Sequence, residues 1–156
     1  AELLAQHPEV QVIWQCGKLY IDTYKNCATA QLPNVQLLEF IDRMDLAYEV
    51  ADVVVSRAGA LTISELCLVG KPVVLIPSPN VAEDHQTKNA KALADRDAAI
   101  LLPDPQAGER IIQEPLDLLQ NTARRQELGA NIKALAKPDA AEQIAAAVLE
   151  LGQKRK

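Results

Sequence analysis

The sequence predicts an α/β protein with a Rossmann-like, doubly wound parallel sheet, in which helices cover both faces of the strands. Short aliphatic runs alternate with longer helical segments, which is the order of parallel βαβ units. The runs at residues 35–38, 52–55 and 72–76 contain almost no polar alternation, as expected for strands that are buried on both faces. Together these observations favour a fold that binds its ligand beyond the carboxyl ends of the strands.

Strands and helices alternate as far as residue 102, and helices follow from there. The strands are predicted at residues 10–14, 35–38, 52–55, 72–76 and 98–102. The helices are predicted near residues 18–29, 43–50, 60–69, 84–95, 108–121, 122–136 and 139–151. Gly70 and Pro72 mark a helix end and a strand start, and Pro138 opens the last helix. The 156 residues are predicted to form one domain, residues 1–156.

Composition disfavours several classes of function. The net charge of −5, with 21 acidic and 16 basic residues interspersed, disfavours a nucleic-acid partner and gives no strong attraction to an anionic membrane. The three cysteines lie far apart, without the spacing of a zinc site or a disulfide framework, which suits reduced thiols in the cytoplasm. No apolar run approaches the ~20 residues that cross a bilayer. Neither a metal nor a cofactor is predicted.

The loop after the 52–55 strand is the most informative candidate site. Its residues are Ala58, Gly59, Ala60, Leu61 and Thr62, and a helix begins within it. The free N–H groups and the dipole of a helix start bind phosphate oxygens. One turn further on, Glu65 is placed to accept hydrogen bonds from the vicinal hydroxyls of a ribose. On the residues alone, a plain capped helix start explains this pattern equally well.

Two further loops contain candidate binding residues. Gln86 and Asn89 lie three residues apart, on one face of a predicted helix start, and paired amides suit neutral sugar hydroxyls. His85 can serve the same purpose, although helix capping explains this segment as well. In the loop after the 35–38 strand, Ile41 and Met44 can form a wall for a planar base, with the backbone of Ile41 reading its edge. A simple cover over the end of the sheet is the favoured alternative there.

The order of these loops resembles the carboxyl-terminal domain of the bacterial MurG family. That family transfers N-acetylglucosamine from its UDP donor to the lipid-linked muramyl-pentapeptide precursor of peptidoglycan, and it has the two-domain GT-B fold. The resemblance extends from Val10 to the last helix. It is carried by the stretches Glu39-Phe40-Ile41-Asp42-x-Met44, Asp52-Val53-Val54-Val55-Ser56-Arg57-Ala58-Gly59-Ala60-Leu61-Thr62-x-Ser64-Glu65, Gly70-x-Pro72 and Asp84-His85-Gln86-Thr87-x-Asn89-Ala90.

The resemblance implies a role for each loop in binding the donor. The implied contacts are the diphosphate at Ala58, Gly59, Ala60, Leu61 and Thr62, the ribose at Glu65, uracil at Ile41 with Met44 lining the uridine pocket, and N-acetylglucosamine at His85, Gln86 and Asn89. Arg57 matches a family arginine that we expect to brace the loop.

The resemblance also implies that this chain is a fragment of the enzyme. The first strand of the family's domain, its GGSxGA-type loop and the whole amino-terminal domain are expected to precede Ala1. We therefore expect no catalytic residue here, and contact with the undecaprenyl-linked acceptor and the membrane only through the missing domain. The full-length protein is expected to be peripheral on the cytoplasmic face of the inner membrane.

The expected loss of the first strand has a structural consequence. Because that strand is central in the 3-2-1-4-5-6 order, we expect the strand at 10–14 to pair directly with that at 52–55, or a partner chain to fill the gap.

Other functions remain open. One is a non-catalytic nucleotide-sugar-binding subunit that works with a separate partner. Another is a different UDP-sugar enzyme of the same two-domain fold, such as a 2-epimerase, against which the 84–90 stretch argues. A flavodoxin-like module without a nucleotide is the third.

Overall fold

The computed structural model describes residues 1–79 and 84–153 of the chain. Its strands are β1 (Val12–Gln15), β2 (Val35–Leu38), β3 (Val54–Ser56), β4 (Val73–Leu75) and β5 (Ile100–Leu101). The helices of the described ranges are α1 (Glu2–Ala5), α2 (Ile21–Tyr24), α3 (Met44–Val50), α4 (Ala60–Val69), α5 (His85–Ala94), α6 (Asp104–Arg110), α7 (Gln113–Gln120), α8 (Thr122–Lys133) and α9 (Ala140–Gln153). All five predicted strands are therefore confirmed, to within two residues at each end.

The strands form two parallel sheets. The smaller pairs β1 with β2, from Val12 opposite Val35 to Gln15 opposite Leu38. The larger has the order β3-β4-β5, and both of its pairings are also parallel. Parallel strands joined through helices confirm the predicted α/β class, with the two sheets matching positions 3-2 and 4-5-6 of the doubly wound order.

The predicted direct pairing of the strand at 10–14 with that at 52–55 is wrong. Among the described strands, β1 pairs only with β2, and β3 pairs only with β4. Closing the gap would shift the smaller sheet by about one strand spacing, ~4.8 Å. Tyr48 of α3, the helix after β2, packs against the core of the larger sheet and opposes such a shift. The alternative, that a partner chain fills the gap, stays a prediction.

Two predicted helices differ in extent from the observed ones. The helix expected at 18–29 is reduced to the four residues of α2, because Gly17 takes a left-handed φ of 81° before it and turns follow through Asn26 and Thr29. The helix expected at 108–121 is divided into α6 and α7. Pro115 lacks an N–H and clashes with the preceding turn, so it is tolerated only within the first turn of α7.

The core lies on both faces of β4. Val73 and Leu75 are fully buried in one cluster, which includes Leu66 of α4 and Ile132 of α8. Val74, between them, is fully buried in a second cluster with residues of α7 and α8. The apolar run at 72–76 is therefore buried on both faces, as predicted, and this rigid sheet fixes the loops at its carboxyl end. The same prediction is wrong for the runs at 35–38 and 52–55, where Gln36 and Val55 are exposed. Helix α9 has no buried residue.

Candidate functional site

The predicted phosphate loop connects the end of β3 to the start of α4. Gly59 is the N-cap of α4, and it has no side chain that would occupy the first amides of the helix. The first backbone bond of the helix runs from Ile63 N–H to the Gly59 carbonyl, at 2.9 Å. The amides of Ala60, Leu61 and Thr62 precede that bond, and such groups need an external acceptor. The start of α4 therefore has the free amides that the predicted phosphate site requires.

Gly59 leaves room for a ligand to approach this backbone. Its φ of −67° and ψ of 145° are open to any residue, so the backbone conformation does not demand glycine. A Cβ at this position would meet, among the described atoms, only the Thr62 hydroxyl, at 3.7 Å. The absent side chain therefore clears space in front of the helix start, beside a hydroxyl donor.

Arg57 ties this loop to the neighbouring strand ends. Its Nη1 donates to the carbonyl oxygens of Ile76 and Pro77, at 3.3 Å each, and also to Oδ1 of Asp104. These acceptors follow β4 and β5, whereas Arg57 follows β3. The geometry agrees with the bracing role that the resemblance implies for Arg57.

The predicted sugar-binding amides face the same edge of the sheet and are partly used by the scaffold. Asn89 Nδ2 donates to the Ala58 carbonyl at 3.1 Å, and Gln86 Oε1 accepts from the Ser78 amide at 2.9 Å. Among the described residues, no further hydrogen-bond partner is found for Asn89 Oδ1 or Gln86 Nε2. His85 is exposed at the first position of α5, after Asp84, whose φ of 52° is left-handed. The sequence is also compatible with a start of this helix at Glu83, a residue that lies outside the described ranges.

Glu65 is exposed on α4 and interacts with Tyr48 of α3. Burial raises the pKa of Tyr48 above its usual value, and the charge and hydrogen bond of Glu65 raise it further. A tyrosine hydroxyl beside a carboxylate restrains that carboxylate while leaving further acceptor positions for ribose hydroxyls. Tyr48 is not among the site residues predicted from the sequence. Its only signal in the sequence is an aromatic side chain on the helix between two predicted ligand-binding loops.

The predicted base-binding loop leads from β2 into α3, which begins at Met44. The N–H of Ile41, expected to read the edge of a base, donates to Oε1 of Gln15 at 2.8 Å. That acceptor is an amide oxygen, which is the same chemical type as a uracil carbonyl oxygen. Gln15 was also missed, although it is the polar last residue of β1 at the ligand-binding end of a strand.

One groove lies away from these residues. It has a volume of about 540 Å³ and is lined in part by Lys71, Arg125 and Lys133. Lys71 donates to the Glu49 carbonyl at 2.9 Å, and Lys133 donates to the Leu68 carbonyl. Those carbonyls end α3 and α4, so the two lysines are explained as C-terminal helix caps.

Residues 1–79 and 84–153 contain neither a cluster of metal ligands nor a helix that could span a membrane. No group of three or more His, Cys, Asp or Glu side chains is close enough to share a metal ion there. In the same ranges, no helix combines the length and the apolar character of a transmembrane span.

Comparison with known proteins agrees with this geometry. Residues 1–144 match the family described as the glycosyltransferase family 28 C-terminal domain. The chain belongs to glycosyltransferase family 28. Its relatives include a protein of Flavobacterium psychrophilum, 50% identical over 154 residues, and one of Porphyromonas gingivalis, 54% identical over 137 residues. Both are named UDP-N-acetylglucosamine–N-acetylmuramyl-(pentapeptide) pyrophosphoryl-undecaprenol N-acetylglucosamine transferase.

Solved structures of glycosyltransferases have the same fold. The crystal structure of Acinetobacter baumannii MurG matches 95% of this chain and 44% of its own, with a TM-score of 0.78 and 29% identity. The glycotransferase of kitacinnamycin matches with a TM-score of 0.67 at 23% identity, which supports the fold alone. The prediction of the carboxyl-terminal half of a GT-B glycosyltransferase, and of the MurG family, is confirmed.

The match covers only part of the relatives. The chain spans 41% of the F. psychrophilum protein and 36% of the P. gingivalis protein. What those complete enzymes do therefore applies to this chain only as a proposal.

Proposed function

We propose that this chain is the donor-binding domain, residues 1–156, of an inverting glycosyltransferase that transfers N-acetylglucosamine from UDP to an undecaprenyl-pyrophosphoryl-muramyl-pentapeptide acceptor. The observation that carries the proposal is the start of α4, whose first amides are open at the carboxyl end of β3. Glu65 and the amides of α5 lie on neighbouring elements of the same edge. The names of the half-identical relatives supply the reaction.

Each part of the donor has a proposed place. The diphosphate binds at the backbone of Ala58, Gly59, Ala60, Leu61 and Thr62, the ribose at Glu65, uracil at Ile41 and Met44, and the sugar at His85, Gln86 and Asn89. The uracil loop follows β2 of the smaller sheet, whereas the diphosphate and sugar loops follow β3 and β4 of the larger sheet. Tyr48 of α3 packs against the core of the larger sheet, which supports the proposal that one extended molecule contacts the loops of both sheets.

The proposed chemical contribution of this domain is to stabilise the leaving group. When the bond between the sugar and UDP breaks, negative charge grows on the diphosphate. Preorganised amides at a helix start, reinforced by the helix dipole, lower the energy of that charge. Because those amides are already in place before the reaction, no reorganisation is needed when the charge appears. This step uses no residue of the chain as an acid or base.

The rest of the reaction is proposed to depend on the other domain of the whole enzyme. Deprotonation of the acceptor hydroxyl typically contributes ~10²–10⁴-fold to rate, and we place the base for it outside this chain. We likewise place acceptor recognition and membrane contact there, with the full-length enzyme on the cytoplasmic face of the inner membrane. The isolated chain is therefore expected to bind donor without turnover.

Calorimetric titration with UDP-N-acetylglucosamine and with UDP tests the donor-binding proposal. Both ligands should bind, and Glu65→Ala should weaken both by about 10-fold or more, because a hydrogen bond to a charged group is lost. Glu142→Ala on the exposed helix α9 is the control and should bind like the unchanged chain. A folded chain that binds neither ligand, or a Glu65→Ala variant that binds normally, would contradict the proposal. Transfer of sugar by the isolated chain would contradict the division of labour between the domains.

A further inference from the structure

Asp104 completes a bridge between the ends of three neighbouring strands. It is the first residue of α6, and it follows the buried Leu102 at the end of β5. Its Oδ1 accepts a hydrogen bond from Nη1 of Arg57, which follows β3. The same nitrogen donates to the carbonyls of Ile76 and Pro77, which follow β4. One guanidinium group therefore contacts all three strands of the larger sheet at their carboxyl ends.

Asp104 supplies the negative charge among these acceptors. The two carbonyl contacts are 3.3 Å long, beyond the usual range for N–H···O bonds, and are correspondingly weak. A charge-assisted bond is about twice as strong as a neutral one. Loss of the carboxylate would leave the long Arg57 side chain, which is 56% exposed, held only by those weak contacts among its described partners.

The position of Arg57 affects the phosphate loop directly. Arg57 precedes Ala58, which is fully buried and whose carbonyl accepts from Asn89. The path of the chain out of β3 is thus fixed on one side by α5 and on the other by the bridge from Arg57 to Asp104. A change in either restraint alters where the amides of Ala60 to Thr62 point.

We propose that Asp104 is a positioning residue of the donor site, which holds Arg57 across the strand ends and thereby fixes the loop that binds the diphosphate. This inference rests on the proposed function for the identity of the ligand. Asp104 does not contact the donor, and it acts only through Arg57. Its role is therefore specific to ligands that carry phosphate.

The test compares Asp104→Asn with the unchanged chain, with Asp104→Glu as the conservative variant. Asp97→Asn is the matched control, because Asp97 pairs with Arg124 at 2.5 and 2.6 Å through an ion pair away from the predicted donor loops. The first measurement is hydrogen exchange at the amides of residues 63 and 64, the first amides that are hydrogen-bonded within α4. The second is the ratio of the dissociation constants for UDP and for uridine, which lacks phosphate.

Asp104→Asn should speed exchange at residues 63 and 64 by about 10-fold, since fewer restraints oppose local opening of the first turn of α4. It should weaken UDP binding by about 3- to 10-fold, the loss expected for one hydrogen-bonding restraint, while uridine binding stays unchanged. Asp104→Glu should recover both properties in part. Asp97→Asn should change neither exchange at these residues nor the ratio.

Three results would overturn the inference: unchanged exchange at residues 63 and 64 in Asp104→Asn, an equal loss of UDP and uridine binding, or tighter UDP binding. Tighter binding would mean that Asp104 withholds the Arg57 charge from the phosphates. If the unchanged chain binds neither UDP nor UDP-N-acetylglucosamine, the proposed function fails, and the exchange comparison still decides whether Asp104 positions the loop.

Discussion

The side-chain amide of Asn89 donates to the carbonyl oxygen of Ala58 at 3.1 Å, across 31 residues of sequence. This bond joins the first turns of α5 to the residue that precedes the N-cap of α4. Asn89 is proposed to contact the sugar, and Ala58 is proposed to lie at the diphosphate. The proposed contacts of the sugar and of the neighbouring diphosphate are thus linked by one hydrogen bond of the protein.

Asn89→Ala should weaken UDP-N-acetylglucosamine binding. The loss of affinity should exceed that of a variant that loses a similar hydrogen bond, and similar stability, elsewhere in the chain. The free energy of unfolding should fall by about 1 kcal/mol, because the buried carbonyl of Ala58 loses its side-chain donor. Asn131→Ala is the control, since Asn131 donates to the Asp97 carbonyl at 2.9 Å in the same way but remote from the predicted loops. Chemical unfolding and titration check both variants, and an equal affinity loss in both would contradict this role for Asn89.

The raised pKa of Tyr48 should make the folded chain less stable at alkaline pH. Burial, reinforced by Glu65, raises the pKa of Tyr48 above its ordinary value of 10.0. The folded chain keeps the proton that the unfolded chain releases, so the free energy of unfolding falls as pH rises through 10 toward the folded pKa. Tyr48→Phe should show a smaller loss between pH 9 and 12, measured by urea unfolding at about 10 pH values. Tyr20→Phe, at a residue that is 53% exposed, should keep the original slope, and identical slopes for both variants would refute the assignment.

Gln15→Ala should tighten the binding of uridine. In the unliganded chain the Ile41 amide is already bonded to Gln15, and a base that reads this amide must displace that side chain. A net hydrogen bond of about 0.5–1.5 kcal/mol corresponds to an increase in affinity of about 2- to 10-fold. Gln11→Ala, whose side chain bonds only the Pro8 carbonyl among described partners, should have no effect. Weaker binding by Gln15→Ala in a titration would show instead that Gln15 supports the base-binding loop.

Two glycine substitutions should change stability in opposite directions. A Cβ at Gly129 of α8 would lie 2.9 Å from the backbone oxygen of Gly70, so α8 and the end of α4 would have to separate. Gly129→Ala should therefore cost about 1–3 kcal/mol. A Cβ at Gly108 of α6 meets no described atom within 4 Å, and Gly108→Ala should stabilise the helix by about 0.5–1 kcal/mol. Thermal unfolding checks both, and the same sign for the two would contradict the packing described.

The fold was predictable from sequence because its signals are local. The apolar run at β4 and the Gly70-Lys71-Pro72 boundary each depend on a few adjacent residues, and both are confirmed. The sequence also marks the break between α6 and α7 with Pro115, although a single helix was predicted across residues 108–121. The absence of pairing between β1 and β3 was not predictable in this way, because it depends on how α3 anchors the two sheets.

The missed parts of the site depend on partners distant in sequence. Gln15 lies 26 residues from Ile41, and Asp104 lies 47 residues from Arg57. Sequence patterns place polar residues at the ends of strands, but they do not tell which of them meet. The predicted donor residues did fall on neighbouring loops, because parallel strands bring their carboxyl ends to one edge. Their contacts with the donor stay predictions.

The division into two sheets also bears on how concentrated solutions of the chain behave. Among the described strands, β1 and β3 each expose one side of their backbone, and neither contains a charged residue or a proline. Natural edge strands commonly carry such residues to prevent intermolecular association. Two copies of this chain can therefore join through these strands, and their aggregation should grow steeply with concentration during refolding. A polypeptide that supplies a strand between β1 and β3 would complete the sheet and should also reduce this aggregation during refolding.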